Sequence, residues 1–366
     1  MGSRIACAAM VVAVSCAVFP AYGGADEPVA TTRARLVDEV DRGLAAADAR
    51  WAWRGWYRDN PSTTSWSSIW DTVHLLEARV GLQAAAPSAA HRQALVRMAL
   101  GAERYWNPQL GNGFGGFATG YALRGAQGTM WFDDDSWLGL VFFDVYEQTH
   151  MTRFLDDAEK AFRFVYHVGW DPKGGGIWWN SQRTVKAAES VNPAALLAVE
   201  LYEAHRGTEY LRAAHRLVAW ANAHLLDRGT GLYDNHPNKG VAISYNQSPM
   251  LAALARLCRD GQGHCAEVAP LRSATLRAFG GDLDQPPQFD AMYLRYLLAA
   301  DPLRREPRIA DVVLSNARRI EQNATDQDGL YLRAWDGSLN VAPGLVSTHG
   351  AALEVLAWAA VAAGPQ

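Results

Sequence analysis

The segment Trp131-Phe132-Asp133-Asp134-Asp135-Ser136-Trp137 places three consecutive carboxylates between aromatic side chains. Because like charges repel at this distance, such a run raises the pKa of at least one member. One ionised and one protonated acid near neutral pH is the pair that cleavage of a glycosidic bond requires. The flanking rings suit the apolar faces of a sugar. A helix N-terminus rich in Asp is the competing, purely structural explanation.

The position of the run suggests a division of roles among its members. We expect a helix to begin near Ser136, with Asp135 as a structural residue at the N-cap or in the first turn. Asp133 and Asp134 then remain for chemistry. Adjacent residues of regular structure point apart, so we expect an irregular turn to bring both carboxyl groups to the substrate. A retaining double displacement needs a separation of about 5–5.5 Å, and an inverting reaction about 6.5–9.5 Å.

Composition narrows the class of protein. The chain has 366 residues, of which 49% are hydrophobic, and a formal net charge of -4. This length and apolar content suffice for a large core. The sequence shows no basic stripe, so we expect no nucleic-acid partner. It also shows no His-rich ligand pattern, so we expect no metal or other cofactor.

Residues 1–25 resemble a secretory signal peptide, with Arg4 before an apolar run and small residues after it. The run is too short to span a membrane. We therefore expect a secreted, periplasmic or cell-surface protein in which residues 26–366 form one domain. Acylation of Cys16 as a lipoprotein ranks lower, because Ala13 is a poor residue three positions before it. Cys258 and Cys265 remain in the exported chain, and we expect them to form a short-loop disulfide.

Apolar residues recur at helical spacing almost throughout the chain. They predict twelve helices, with Ser88, Thr208 and the Asn192-Pro193 pair as start signals. The predicted ranges are 31–51, 65–85, 88–105, 136–149, 153–168, 193–206, 209–226, 247–260, 265–278, 287–301, 307–324 and 348–363.

Loop lengths predict the architecture. Connections after even-numbered helices are short, and most of those after odd-numbered helices are long. Because short links join antiparallel neighbours, this alternation puts every long, aromatic-rich loop on one face. The sequence therefore predicts an all-α, (α/α)6 barrel, with the active site on the long-loop face. An open solenoid has the same helix count, but the sequence shows no fixed-period repeat.

The acid run is part of a longer motif that resembles one enzyme family. Asp133-Asp134-x-x-Trp137, after an aromatic pair and before an amphipathic helix, resembles the signature of glycoside hydrolase family 76, a family of endo-α-1,6-mannanases and related transglycosidases on an (α/α)6 barrel. Further segments are similar to family motifs in the same order along the chain. They are Gly174 to Trp179, Lys186 with Asn192, Gly231 to Asp234, Tyr245-Asn246-Gln247, and Phe289 to Leu297 with Arg295-Tyr296-Leu297.

The resemblance implies a retaining, endo-acting glycosidase that cuts α-1,6-linked mannan, with Asp133 as nucleophile and Asp134 as general acid/base. It implies an α-mannan polysaccharide or oligosaccharide as the partner, and we expect a monomer. The candidates for sugar contacts are Trp131, Phe132, Trp178, Trp179, Lys186, Asp234, Tyr245, Asn246 and Gln247. At most one of Trp178 and Trp179 faces the cleft if that stretch is extended.

Several departures from the family pattern affect the expected substrate contacts but leave the acid pair intact. Asp290 stands where the family usually has Lys, Ala187 replaces Asn and Ser248 replaces Gly.

Other functions also stay open. The same intermediate captured by a sugar hydroxyl would give a transglycosylase, a cleft without turnover would give a mannan-binding surface protein, and another (α/α)6 family would give an inverting glycosidase or a lyase.

Overall fold

Twelve long helices and one single-turn helix make up most of the described chain. The computed structural model describes residues 29–121, 129–237, 240–302, 305–339 and 341–364. The predicted signal peptide, 1–25, lies outside the described residues. In chain order the helices are α1 (Val29–Trp51), α2 (Ile69–Ala85), α3 (Ala89–Ala102), the single turn α4 (Leu110–Gly113), α5 (Phe132–Thr149), α6 (Thr152–Val168), α7 (Ala188–Glu203), α8 (Thr208–His224), α9 (Ser244–Arg259), α10 (Cys265–Phe279), α11 (Pro287–Ala299), α12 (Pro307–Asn323) and α13 (Val346–Ala362).

The long helices are of two kinds, which alternate along the chain. Every residue of α7 from Ala188 to Leu201 is buried, and α13 is buried from Val346 to Ala360. In contrast, α6 and α12 bury one apolar stripe and expose the opposite face. A helix that is apolar all round must be enclosed by neighbours, whereas an amphipathic helix covers a core from outside. The alternation therefore builds an inner layer and an outer layer.

The inner helices form a closed ring. Among the described residues, α2 packs on α5, α5 on α7, α7 on α9, α9 on α11, α11 on α13, and α13 packs back on α2. This closure confirms the (α/α)6 barrel and excludes an open solenoid. The long connections all lead from the end of an outer helix to the start of an inner one. The N-termini of the inner helices therefore share the long-loop face, where their partial positive charges favour anions.

Short strands occur in three of the long loops. They form two-stranded antiparallel sheets, β1 (Ala52–Trp53) with β2 (Trp56–Tyr57), β3 (Trp106–Asn107) with β4 (Gly116–Phe117), and β5 (Leu226–Asp227) with β6 (Leu232–Tyr233). Each hairpin fixes the shape of its loop before the next inner helix begins. The loops of the active face are thus braced by backbone hydrogen bonds.

Some predicted helix starts are wrong. Helix α5 begins at Phe132 rather than near Ser136, so the Asp run lies inside the helix. Helix α7 begins before the predicted cap, and Pro193 is its sixth residue. Ser88 caps α3 as predicted, with its side chain accepting from His91 N, whereas Thr208 is the first helical residue of α8 rather than its cap. The starts of α5, α7 and α9 extend beyond their pattern because neighbouring elements pack around them.

The predicted disulfide between Cys258 and Cys265 is present. It closes the turn between α9 and α10, on the face of the short connections. In the part of the chain that the structure describes, no helix is both long and apolar enough to span a bilayer.

A buried arginine braces the inner ring. Arg295 of α11 donates to Glu77 Oε1 of α2 at 2.7 Å and to Asp144 Oδ1 of α5 at 2.6 Å. Its guanidinium also lies over the Trp358 ring of α13, 3.7 Å from the centroid. One side chain therefore links four of the inner helices through charge and cation–π contact.

Candidate active site

The first turn of α5 opens into a pocket of about 300 Å³ on the long-loop face. Asp134 and Asp135 are buried, and Asp133 is partly exposed to the pocket. The pocket is lined by Ser68, Trp70, Thr119, Trp131, Asp133, Asp134, Trp179, Tyr245 and Phe289. The two predicted chemical residues thus share one pocket with a largely aromatic lining.

The start of α5 is held from two sides. Asp135 Oδ1 accepts a hydrogen bond from Phe117 N of β4 at 2.8 Å. On the other side, Phe132 N donates to Trp179 O at 2.9 Å. Asp135 is therefore the structural member of the run, in the first turn as expected. The expected irregular turn is absent, because a regular helical turn brings both Asp133 and Asp134 to the pocket.

Asp133 has one partnered and one unpartnered carboxylate oxygen. Its Oδ2 accepts from Trp179 Nε1 at 3.1 Å. Its Oδ1 is buried without a hydrogen-bond partner among the described residues. Burial, followed by the charge of Glu189, raises the pKa of Asp133 to about 7, and the bond from Trp179 opposes that rise. Oδ1 therefore has hydrogen-bonding capacity that no described residue uses.

Asp134 is held by the loop before α5. Its Oδ2 accepts from Thr119 Oγ1 at 2.8 Å. Burial, followed by the charge of Asp133, raises the pKa of Asp134 well above its ordinary value. Two neighbouring acids that repel each other cannot both ionise easily, so the pair retains a proton near neutral pH.

A third carboxylate, Glu189, stands next to the pair and has no counterpart among the predicted site residues. It is the second residue of α7, is 3% exposed, and has a buried Oε2 without a partner among the described residues. Burial raises the pKa of Glu189 to about 7, and side-chain hydrogen bonds with Asn246 and Asn235 oppose the rise. Pro193 follows it by four positions and cannot donate to its carbonyl, so the helix is locally loosened there.

Two aromatic groups form the walls of the pocket. On one side, the rings of Trp131 and Trp179 meet edge to face, with 4.5 Å between centroids. On the other side, Tyr245 stacks on Phe289 at 4.4 Å, with Trp70 at 6.1 Å from each. Such surfaces can pack on the C–H faces of a sugar while carboxylates bind its hydroxyl groups.

Trp137 lies behind this wall, stacked on Tyr245 with 5.5 Å between centroids and fully buried. Its place in the sequence signature thus coincides with a packing position.

Six of the nine predicted sugar contacts lie outside the pocket lining, and Phe132, Trp178 and Lys186 are three of them. Phe132 is 1% exposed and packs on Phe164, because the helical turn directs its ring into the core. Its predicted contact with substrate does not fit this position. Lys186 forms an ion pair with Asp171 at 2.7 Å and lies over the Trp178 ring at 4.9 Å. These contacts fix the loop before α7, and of the two adjacent tryptophans only Trp179 lines the pocket.

The polar residues around the start of α9 mostly bind the protein itself. Gln247 accepts from Tyr233 N at 2.9 Å and donates to Tyr233 O at 2.8 Å. Asn246 is the third residue of α9 rather than an N-cap, and its Nδ2 donates to Asn235 Oδ1 at 2.6 Å. Asp234 Oδ2 accepts from Gly240 N at 3.1 Å. Their roles toward a substrate stay predictions.

Asp290, which departs from the family motif, does not line the pocket. Asp290 is fully buried, and it accepts from Ser244 Oγ and Gln285 N at 2.9 Å each. It therefore stabilises the loop between α10 and α11 against the start of α9.

Sequence comparison agrees with the signature. The family model for glycosyl hydrolase family 76 matches residues 115–264. This span contains the acid run, the Trp178-Trp179 segment and the start of α9. A comparison with curated protein sequences finds no match.

Solved structures share the architecture over most of the chain. A GH76 α-mannanase of Bacteroides thetaiotaomicron superposes with a TM-score of 0.81 at 19% identity, covering 91% of this chain and 98% of that one. The GH76A α-1,6-mannanase of Salegentibacter sp. HEL1_6 gives 0.72 at 18% identity, covering 90% and 99%. An inactive variant of the latter, with two aspartates replaced, has been solved with α-1,6-mannotetrose.

The same fold also carries other chemistry. The cellobiose 2-epimerase of Spirochaeta thermophila superposes with a TM-score of 0.66 at 14% identity, covering 91% of this chain and 97% of that one. At such identities a structural likeness establishes the fold, and the activity must be argued from the site. The resemblance of this chain to glycosyl hydrolase family 76 is confirmed, by the family model over residues 115–264 and by a fold shared over 91% of the chain.

Proposed function

We propose that this protein is a retaining glycosidase that cleaves internal α-1,6-mannosidic linkages of the mannan polysaccharide. The proposal depends on one observation above all. Two adjacent carboxylates, Asp133 and Asp134, open into one aromatic-lined pocket at the N-terminus of an inner helix. The α-1,6-mannanase among the structural neighbours supplies the substrate class.

In this mechanism Asp133 attacks the anomeric carbon while Asp134 protonates the departing glycosidic oxygen. The glycosyl–enzyme ester is then hydrolysed by a water molecule that Asp134 deprotonates. The N–H of Trp179 stabilises the ionised form of Asp133, as the N-terminus of α5 also does. Asp134, with its pKa raised further by the neighbouring charge, holds the proton. We expect the two carboxyl groups to work at a separation of about 5–5.5 Å.

We further propose that residues 26–366 form the single catalytic domain of an exported monomer. The disulfide between Cys258 and Cys265 supports export, since such bonds persist in oxidising compartments. The pocket lies on the long-loop face, open to a polysaccharide from outside.

The test is turnover of linear α-1,6-mannan by the wild type and two matched variants. Asp133→Asn should reduce kcat by about a thousandfold or more, because the amide cannot attack the anomeric carbon. Asp135→Asn is the control, since its amide oxygen can still accept from Phe117 N. The first product should keep the α configuration when followed by NMR. Near-normal activity of Asp133→Asn, or a first product of β configuration, would refute the proposal.

A further inference from the structure

A cluster of aromatic rings lies beside the active pocket without being part of its lining. Trp66, Trp53 and Tyr121 form this cluster, which we call the rim platform. The Trp66 ring lies 5.6 Å from that of Trp53 and 5.5 Å from that of Tyr121. Tyr121 is buried beneath them, whereas Trp66 is 37% exposed. Trp66 is thus among the few large apolar side chains of the described residues that face solvent.

The rim platform is continuous with the active pocket on both of its chain segments. Trp66 precedes the pocket residue Ser68 by two positions, and Tyr121 follows the pocket residue Thr119 by two positions. Two residues of extended chain span about 7 Å. Ser68 and Gly120 form a backbone bridge between the two segments. The platform therefore lies at the edge of the pocket that contains the acid pair.

The platform is held rigidly in place. Trp53 and Trp56 are paired across the β1–β2 hairpin, and Trp56 stacks on Tyr121 with parallel rings at 4.8 Å. Ser67 N donates to Tyr57 O at 3.0 Å, which anchors the residue next to Trp66. Ile69 N donates to Thr119 O, also at 3.0 Å. A surface that needs no ordering on binding loses little entropy, so a rigid exposed ring is well suited to a ligand.

Two arginines lie beside the platform. Arg54 lies over the Trp53 ring at 4.6 Å, and Arg104 Nη1 donates to Tyr121 Oη at 3.3 Å. Guanidinium groups beside an aromatic face match a sugar, which offers a C–H face for stacking and hydroxyl oxygens as acceptors. Among the described residues Arg54 forms no ion pair with an acidic side chain, so its guanidinium can donate to hydroxyl groups.

We propose that the rim platform is a secondary subsite, which binds mannose residues of the same polysaccharide beyond those in the pocket. This inference rests on the proposed function, because it takes its ligand from the reaction at the acid pair. The subsite makes the enzyme prefer long chains. A substrate too short to reach Trp66 gains nothing from it.

The experiment compares the wild type with Trp66→Ala on two substrates, long linear α-1,6-mannan and α-1,6-mannotriose. The variant should lose roughly five- to tenfold in kcat/KM on the long chain, through KM. Its kcat/KM on the short substrate should stay within about twofold. Trp66→Phe should restore most of the loss, since it keeps a flat ring. Phe114→Ala is the matched control, because Phe114 is 42% exposed on another long loop and packs on His167.

Equal loss on both substrates, or no loss on either, would overturn the platform while leaving the proposed function intact. If the wild type cleaves neither substrate, the proposed function fails instead. Binding of long mannan by the wild type and by Trp66→Ala, measured by calorimetry, then decides the platform. Weaker binding by the variant supports it, and equal or absent binding overturns it.

Discussion

The indole N–H of Trp179 donates to the Asp133 carboxylate, with 3.1 Å between Nε1 and Oδ2. The bond joins the loop before α7 to the first turn of α5, so the loop conformation directly affects the chemistry of the acid. A donor to a carboxylate favours its charged form and lowers its pKa. Asp133 therefore stays ionised at lower pH than burial alone would allow.

Trp179→Phe keeps a ring in the pocket but removes this donor. The pKa of Asp133 should then rise, and the acid limb of the kcat/KM profile should move to higher pH. A hydrogen bond to a charged group contributes about 1.5 kcal/mol or more, which corresponds to about one pH unit. At pH 6 we expect kcat/KM to fall about tenfold, whereas the loss should be smaller at pH 8. Initial rates from pH 4 to 9 measure the shift.

Trp131→Phe is the control for this change. Trp131 packs edge to face on Trp179 and lines the same pocket, but its ring makes no bond to Asp133 in the described structure. Any loss of kcat/KM in Trp131→Phe should be the same at every pH. A parallel shift of the acid limb in both variants would show that the indole N–H is not the cause.

Glu189 acts on Asp133 in the opposite direction. Its charge helps to raise the pKa of Asp133, so Glu189→Gln should lower that pKa. The acid limb of kcat/KM should then move to lower pH. Because Glu189 itself ionises only near pH 7, the gain is confined to neutral pH, where a displacement of half a unit gives about 1.5-fold higher kcat/KM. The pH–rate profile is again the measurement, with the unfolding midpoint as a check on folding.

Glu209→Gln provides the matched control, because Glu209 is the second residue of the outer helix α8, as Glu189 is of the inner helix α7. Glu209 is exposed and its substitution should leave the profile unchanged. If the acid limb of Glu189→Gln does not move, the charge of Glu189 does not affect the pKa of Asp133 in the working enzyme.

The disulfide should affect stability and leave catalysis unchanged. Cys258 and Cys265 close a short turn on the face opposite the pocket, with a sequence separation of 7. For a loop of this size, chain entropy predicts a loss of about 2–3 kcal/mol in the free energy of unfolding when both are replaced by Ser. Urea denaturation measures the loss, and kcat on mannan should not change. A reduced kcat would imply that the turn communicates with the active face.

The barrel and its active face follow from the sequence because their signals are local. Helical periodicity and alternating loop lengths are read along the chain, and each is repeated several times. The acid pair is also local, since Asp133 and Asp134 are adjacent. Boundaries are less predictable. The pattern at Pro193 indicates a helix start, but packing between α5 and α9 extends α7 backwards to Ala188.

The rest of the site depends on contacts between distant segments. Glu189 meets Asp133 across two inner helices, and Thr119 reaches Asp134 from a loop in front of α5. Nothing in the local sequence marks either residue. The orientation of Phe132 depends on whether the helix begins one turn earlier, and that start is fixed by Phe117 through Asp135. The sequence indicates which loops share a face, but the contacts between individual side chains depend on the folded structure.

Arg295 shows how the ring tolerates buried charge. Its two ion pairs, with Glu77 and Asp144, are almost completely shielded from water. Burial raises the pKa of Glu77 well above its ordinary value even beside the arginine. A group with a raised pKa in the folded state destabilises the fold when it ionises. Glu77 therefore contributes favourably to the free energy of unfolding below its pKa in the unfolded state. This contribution is lost as pH rises through its pKa in the folded state.

Arg295→Met should destabilise the protein by about 3–5 kcal/mol, because it leaves two buried carboxylates without a counter-charge. The loss should be larger at pH 8 than at pH 5, where protonation can neutralise Glu77. Adding Glu77→Gln should recover part of the loss at pH 8. Arg153→Met is the control, since Arg153 forms an exposed ion pair with Glu103 at 2.7 Å, and such pairs contribute under about 1 kcal/mol. Thermal and urea unfolding at both pH values test this. Equal losses for the two variants would show that the buried brace stabilises no more than a surface pair.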